Sequence, residues 1–298
     1  MLIRCLIIAA LLGIAHGSAY AEAPACPQVL GKIAPPVVSH PTGKTHLLCY
    51  RAYAVLFSEQ TRTAIWSAER LSAANLLAAR SVPRDSDFFE EPQLPASKRA
   101  RLSDYGHGTG YDRGHLAPSG DFADAAAQAD SFSLANVVPQ RRESNRLLWS
   151  HIETATRRLV RSQGEAWVVT GPIFEADHPT LLNGRIAIPQ YLWKAIYLPG
   201  TGAAAYIARN DATLKYTVVS VARLAELTGV EAFPNLTKRQ RQSPIALPGP
   251  VPHPGEKTGR LVSEAELMAS AIDTPGATSL NQLQDRLRAA LLRAIASN

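Results

Sequence analysis

Apolar and polar positions follow two rhythms along the chain. In "CYRAYAVLF" (49–57) and "TAIWSAERLS" (63–72) β-forming residues alternate or cluster. Each reads as a strand, and the polar "SEQTR" between them predicts a hairpin. "AWVVTGPIF" (166–174) is a short apolar run that predicts a strand ending at a Gly-Pro turn. "IAIPQYLWKAIYLPG" (186–200) and "AAAYIARN" (203–210) predict further strands bounded by Pro, Gly and Asn. The second rhythm is helical. In "ESNRLLWSHIETATRRLVRSQG" (143–164), Leu148, Ile152, Ala155 and Leu159 recur at three- and four-residue steps, and Gly164 ends the pattern. "SVARLAELTGVEAF" (220–233) predicts a short helix capped by Gly229. "SFSLANVVPQRR" (131–142), with Pro139, reads as a loop. Interleaved strands and helices from Cys49 to about Leu236 predict one mixed α/β (α+β) domain.

Both ends depart from this pattern. Arg4, an apolar stretch from Cys5 to Ala15 and the small-x-small "AYA" at Ala19–Ala21 predict a secretory signal peptide over 1–21, hence a periplasmic or secreted protein with an N-terminal arm over 22–48. Beyond Leu236, residues 237–278 read as a basic, proline-rich linker: "TKRQRQ" is followed by five prolines between Pro244 and Pro254. Residues 279–298 place Leu280, Leu283, Leu287, Leu291 and Ile295 on one helical face. That amphipathic helix is expected to dock on the body, although a partner, a membrane surface or a homodimer contact would also suit it.

Composition narrows the class. With 298 residues, 46% hydrophobic and 19% charged, the chain can build a sizeable core. Beyond the signal no run approaches the roughly 20 apolar residues of a membrane-spanning helix. The formal net charge of +6, which loss of Arg4 lowers to +5, favours polyanionic partners. Export would remove Cys5 and leave Cys26 and Cys49, an even pair whose simplest state in an oxidising compartment is a disulfide. Two separate buried thiols are the alternative.

Candidate chemistry concentrates in "YDRGHLAP" (111–118). His115 can accept a proton near neutrality. Arg113 offers a planar fork of donors suited to phosphate, and Asp112 could orient either. A base and a phosphate clamp two residues apart suit phosphodiester hydrolysis; a surface strand with an Asp–Arg pair is the bland alternative. On the long helix, Asn145 and Glu153 carry hard oxygen donors of the kind Mg²⁺ takes. In a regular helix they lie about 80° apart around the axis and about 12 Å along it, too far for both to bind one ion directly. Asn145 is therefore assigned to direct coordination and Glu153 to the waters outside it.

Five segments, "YDRGHLAP", "LANVVPQ", "NRLLWSHIE", "VVTGPIF" and "IPQYLWKAIY", in this order and spacing, resemble the DNA/RNA non-specific endonuclease family of ββα-metal nucleases, which includes secreted bacterial nucleases and mitochondrial endonuclease G. The resemblance implies a ββα-metal nuclease fold, with a central antiparallel sheet and flanking helices. It implies His115 as general base, Asn145 as the protein ligand of a single Mg²⁺ (Mn²⁺ substituting), Glu153 as organiser of metal waters, and Arg113 as a residue lining the site. An upstream phosphate-contacting arginine would fall on Arg84. Products would carry 5′-phosphate and 3′-hydroxyl ends. Leu147 departs from relatives with a glycine there, and nothing in the family pattern matches the tail.

Around this core, Arg141, Arg142 and Arg146 are candidate nucleic-acid contacts or a solvated basic face. Asn136 is expected to fix a loop, His151 to point away from the site, and Trp149 and Trp193 to be core residues. The expected function is an exported, metal-dependent nuclease acting on DNA and RNA. Alternatives are a phosphodiesterase for a smaller substrate, a non-catalytic nucleic-acid-binding relative serving DNA uptake, or a toxin paired with an inhibitor or immunity protein. A long basic groove would favour polynucleotide, and a closed pocket the smaller substrate.

Overall fold

The computed structural model describes residues 26–269 apart from 32, 42, 85, 86, 107 and 175–178. The expected signal peptide and the expected helix over 279–298 lie outside the described residues. The strands that position the site are, in chain order, β1 (Thr45–Cys49), β2 (Tyr53–Ser58), β3 (Thr63–Ser72), β4 (Tyr111–His115), β5 (Val137–Arg141), β6 (Glu165–Ile173), β7 (Tyr191–Leu198), β8 (Gly202–Arg209), β9 (Lys215–Val219) and β10 (Arg260–Leu261). The helices that matter here are α1 (Ser150–Gln163), entered through a π-helical turn over Ser144–Trp149, and α2 (Val221–Thr228).

Eight strands form one sheet in the order β10-β9-β8-β7-β6-β3-β2-β1, antiparallel except where β9 pairs with β10. β4 and β5 form a separate antiparallel ribbon. Side chains alternate across the sheet. Val168, Leu192 and Ile196 face the layer that holds Leu148, Trp149 and Ile152 of the long helix and Leu116 and Val138 of the ribbon. Trp167, Val169, Trp193 and Ala195 face the opposite core with Leu30, Val221 and Leu224. Trp149 and Trp193 are both fully buried, so neither is available to stack on a base.

The pattern-based elements recur with corrections. The hairpin around "SEQTR" is β2–β3. The apolar run starting at Cys49 is not one strand: the Tyr50 amide donates to the Tyr53 carbonyl at 2.9 Å, and the tight turn separates β1 from β2. β6 does not end before Gly171-Pro172 but runs through it. The proline is tolerated because β3 stops pairing with β6 at Thr170, leaving β7 alone to pair with Pro172. A side chain at Gly171 would meet the Ile65 carbonyl at 2.5 Å and the Trp193 ring at 2.7 Å, which is why glycine stands there. The presumed loop before the long helix contains β5, whose Pro139 sits in a two-stranded ribbon. α2 runs from the Ser220 cap to Gly229, whose φ of 69° suits glycine.

Of the segment read as a proline-rich linker over 237–278, residues 270–278 lie outside the described residues; Lys238–Gln242 and Glu264–Ala269 are short helices, and the stretch between them is largely extended, yet it lies against the body. Ile245 and Leu247 join the core, Tyr206 Oη donates to the Pro248 carbonyl at 2.5 Å, and β10 extends the sheet. Apolar residues interspersed among its prolines give it a buried side, which a solvated linker lacks. Cys26 and Cys49 are disulfide-bonded, tying the N-terminal arm to the end of β1. Among the described residues no helix is long and apolar enough to cross a membrane.

Candidate active site

The β4–β5 ribbon and the long helix meet over the sheet, and their junction holds the candidate residues. Gly114 explains the glycine of "DRGH": a Cβ there would lie 2.2 Å from Oε1 and 2.5 Å from Cβ of Gln140, a fully buried side chain. That close approach sets the next residue, His115, against Phe88 and Phe132, each ring centroid 5.1 Å from the imidazole. His115 is 9% exposed, and its Nε2 has no hydrogen-bond partner among the described residues. Burial first, and the positive charge of Arg84 second, pull its pKa down to about 3. The imidazole is therefore neutral at working pH and keeps a lone pair.

Asp112, two residues earlier, organises the helix entrance. It accepts from Asn145 Nδ2 at 3.0 Å and from Arg146 Nε and Nη2 at 2.8 and 3.0 Å, with Arg142 at 3.6 Å. Burial pushes its carboxyl up, but the bonds from Arg146 and Asn145 outweigh this and hold it below the usual range. A carboxylate only accepts, so the amide end facing Asp112 must be the NH₂. That leaves Asn145 Oδ1 available as a hard oxygen donor. Glu153, one helical stretch on, is half-buried beside Arg157 and Lys194. Burial pushes its carboxyl up to about 7 against the pull of those cations. The π turn changes the helical arithmetic: a wider turn rotates less per residue, so Asn145 and Glu153 are closer to one face than in a regular helix.

Two adjoining cavities result. One, of about 470 Å³, is lined by His115, Asn145, Glu153, Arg84, Arg113 and Arg157, among others. The other, of about 710 Å³, is lined by Arg84, Arg113, Asn145, Arg146, Asp112 and Arg142, among others. Arg84 lies 5.4 Å above the Phe132 ring and Arg113 5.3 Å above Phe88, so both cations overhang the histidine's aromatic surround. The structure thus brings together Arg84, Arg113, His115, Asn145, Arg146 and Glu153. Arg141 does not join them: its guanidinium pairs with Glu143 at 3.3 Å and lies over Tyr111 at 5.9 Å, and it lines neither cavity. Asn136 fixes a turn, accepting from the Ala117 amide and donating to the Ala117 and Ser131 carbonyls.

Sequence reasoning missed what lies beneath. Arg157, one turn after Glu153, donates to Asp121 Oδ1 at 2.9 Å. Lys194 and Glu69, from strands β7 and β3, are buried under the site at 1% and 2% exposure. Lys194 Nζ donates to Thr170 Oγ1 at 2.8 Å and to the Leu116 carbonyl at 3.3 Å. Burial first, and Asp121 second, raise Glu69 well above the carboxylate range. The available signal was a charge inside an apolar run: the lysine of "QYLWKAIYL" and the glutamate of "IWSAERL".

The combination of a histidine on a two-stranded ribbon and an asparagine on the crossing helix, over an antiparallel sheet, defines a ββα-type nuclease architecture. The DNA/RNA non-specific endonuclease family model matches residues 36–239, and the chain belongs to that family. It is 34% identical over 202 residues to Nuclease C1 of Cunninghamella echinulata var. echinulata, covering 62% of this chain and 79% of that one. It is 31% identical over 214 residues to a nuclease of Nostoc sp. (66% and 76% covered) and 29% over 217 residues to human mitochondrial endonuclease G (66% and 72%). A crystal structure of the EndoG/EndoGI complex superposes with a TM-score of 0.63 at 22% identity, covering 74% of this chain and 96% of that one, which shows the shared fold.

Proposed function

We propose that this nuclease is exported and hydrolyses phosphodiester bonds of both DNA and RNA, leaving 5′-phosphate and 3′-hydroxyl ends, with His115 as general base. The observation that carries the reading is the convergence of a neutral, unpartnered histidine, a free Asn145 oxygen and Glu153 on one cavity that continues into a second, arginine-lined one. An open run of Arg84, Arg113, Arg142 and Arg146 suits a polymer backbone rather than one small phosphate ester. Phosphate-directed contacts carry no base or sugar readout, which fits cleavage of both nucleic acids.

In this scheme His115 takes a proton from the attacking water, and its aromatic surround holds the ring in place. Arg84 and Arg113 offset the charge of the scissile phosphate, and Arg146, steered by Asp112, contacts a neighbouring one. Asn145 Oδ1 would hold Mg²⁺, or Mn²⁺ in its place, with Glu153 ordering the surrounding water; oxygen-only donors fit such a hard cation. When bound, the ion would offset transition-state charge and assist protonation of the leaving 3′ oxygen.

The test incubates the purified mature protein with supercoiled plasmid and with total RNA, in Mg²⁺ or EDTA, beside His115→Ala and Asn145→Ala. Both substrates should be cut in Mg²⁺ only, with each variant reduced by about 10²–10⁴-fold. Plasmid fragments should be ligatable without prior phosphorylation. A folded protein that cuts neither substrate in Mg²⁺ or Mn²⁺ would overturn the proposal, and retained DNA binding in that sample would favour the non-catalytic relative.

A further inference from the structure

The back of the catalytic helix carries a cluster that the groove does not use. His151 follows Asn145 by six residues and lines neither active-site cavity. It is 2% exposed, and its Nδ1 is buried without a partner among the described residues. Its Nε2 lies 2.8 Å from Glu256 Oε2, and that oxygen also accepts from the His253 backbone amide at 3.0 Å. The His253 ring stands edge-on to His151, with centroids 5.7 Å apart and planes at 73°. One ring nitrogen from each histidine and one Glu256 oxygen all lie within 4.8 Å of one another.

We propose that His151, His253 and Glu256 form a second divalent-metal site, suited to Zn²⁺, which fastens the proline-rich segment to the back of the catalytic helix. The donor chemistry separates it from the groove. Two imidazoles and a carboxylate suit Zn²⁺, whereas the oxygen-only set around Asn145 suits Mg²⁺. Three protein ligands leave one tetrahedral position for water. Metal–ligand bonds of about 2.0–2.2 Å place tetrahedral donors roughly 3.3 Å apart, so the three atoms need only a modest rearrangement.

The two exposed partners can supply that rearrangement. His253 and Glu256 are exposed and sit in a turn with Gly255 at φ 86°, while His151 is held by the helix. The His253 imidazole stands near enough to the His151 ring and to a Glu256 oxygen for all three to share one ion. The location is equally specific. His253 and Glu256 lie beyond residue 239, where the family match ends, so the site would belong to this chain's own tail rather than to the shared nuclease machinery. It would join positions 105 residues apart in sequence, next to where Gly259 packs on Leu148.

The experiment uses tag-free mature protein stripped with EDTA and returned to excess Mg²⁺ to occupy the groove. Zn²⁺ binding is followed by competition with a chromophoric chelator, and Co²⁺ by its visible absorption. One equivalent of Zn²⁺ should bind at micromolar concentration or tighter, Co²⁺ should give the intense bands of a tetrahedral ion, and Zn²⁺ should raise Tm. His253→Ala and Glu256→Gln should each weaken binding at least 10-fold and abolish the Tm gain while Mg²⁺-supported cleavage persists. Asn145→Ala should bind Zn²⁺ normally. Absence of binding, binding unchanged in His253→Ala, or binding lost in Asn145→Ala would each overturn the site. The readout is metal uptake, so it is independent of whether the nuclease proposal holds.

Discussion

Asp112 shows how one side chain determines what its neighbours can do. By accepting from Asn145 Nδ2 it decides which end of that amide faces away from it, and by gripping Arg146 it fixes where that guanidinium stands at the cavity edge. Asp112→Asn keeps the shape but removes the acceptor-only character that enforces the amide's orientation. We expect the Mg²⁺ concentration for half-maximal cleavage to rise by about 10-fold or more, with little loss at saturating Mg²⁺. A titration of rate against Mg²⁺ checks this. His115 has a stability consequence. Its folded pKa of about 3 lies below the ordinary value of 6.5, so the unfolded chain takes the proton first as pH falls. Stability is therefore lost between about pH 6.5 and 3, by about 1.4 kcal/mol per pH unit from this group. Urea denaturation in EDTA should show a shallower acid limb for His115→Gln. Gly114→Ala should destabilise by about 1–3 kcal/mol and reduce cleavage, because Gln140 is buried and cannot swing away from the new Cβ.

Among the elements, the ribbon presents His115, the helix presents Asn145 and Glu153, and strands β3 and β7 supply charges from below. The π turn at the helix entrance turns the helix faces, bringing two residues towards one cavity that a regular helix would splay. Lys194 holds this underside together: it lies beneath two carboxylates, Glu69 and Glu153, that burial already drives towards the neutral form. Lys194→Met would leave their charged forms uncompensated. A loss of about 3 kcal/mol is expected at pH 8, shrinking at pH 5 as the carboxyls take up protons, and thermal melts at the two pH values would show it. Strand β5 reads as a loop in the sequence because Pro139 and the polar Gln140 interrupt the strand pattern. The strand forms because Tyr111–His115 pairs with it across the register Asp112↔Gln140.

At the scale of the whole molecule, the sheet is clamped by the described segments that precede and follow its main strands. The Cys26–Cys49 bond closes a loop over 23 positions, which corresponds to about 3 kcal/mol of stabilisation from the restricted unfolded chain. Reduction, or Cys49→Ser, should lower Tm without abolishing cleavage, since neither cysteine lines either active-site cavity. The tail contributes from the other end, with β10 on the edge of the sheet and Arg209 donating to the Leu267 carbonyl at 3.2 Å. Deleting residues 243–269 should therefore destabilise the nuclease body, where removal of a true linker would not.

The sequence by itself determined the domain class, most strands, both principal helices and the residue types of the site. Those features are local: periodicity, caps and a motif such as "DRGH" are legible in short windows. It also pointed to His115, Asn145, Glu153, Arg113 and Arg84, all of which meet at one cavity. Only the tertiary structure decided what depends on distant segments. Asp112 and Asn145 are 33 residues apart, so the sense of the amide could not be read from either neighbourhood. The Glu69–Lys194 layer is assembled from two strands far apart in the chain. The separation of Arg141, at the end of the ribbon, from Arg146, on the π-helical turn, depends on how ribbon and helix pack together, and the tail's attachment on which apolar side chains find the core. Burial and pairing between remote segments are properties of the folded chain, and they convert a motif into a site.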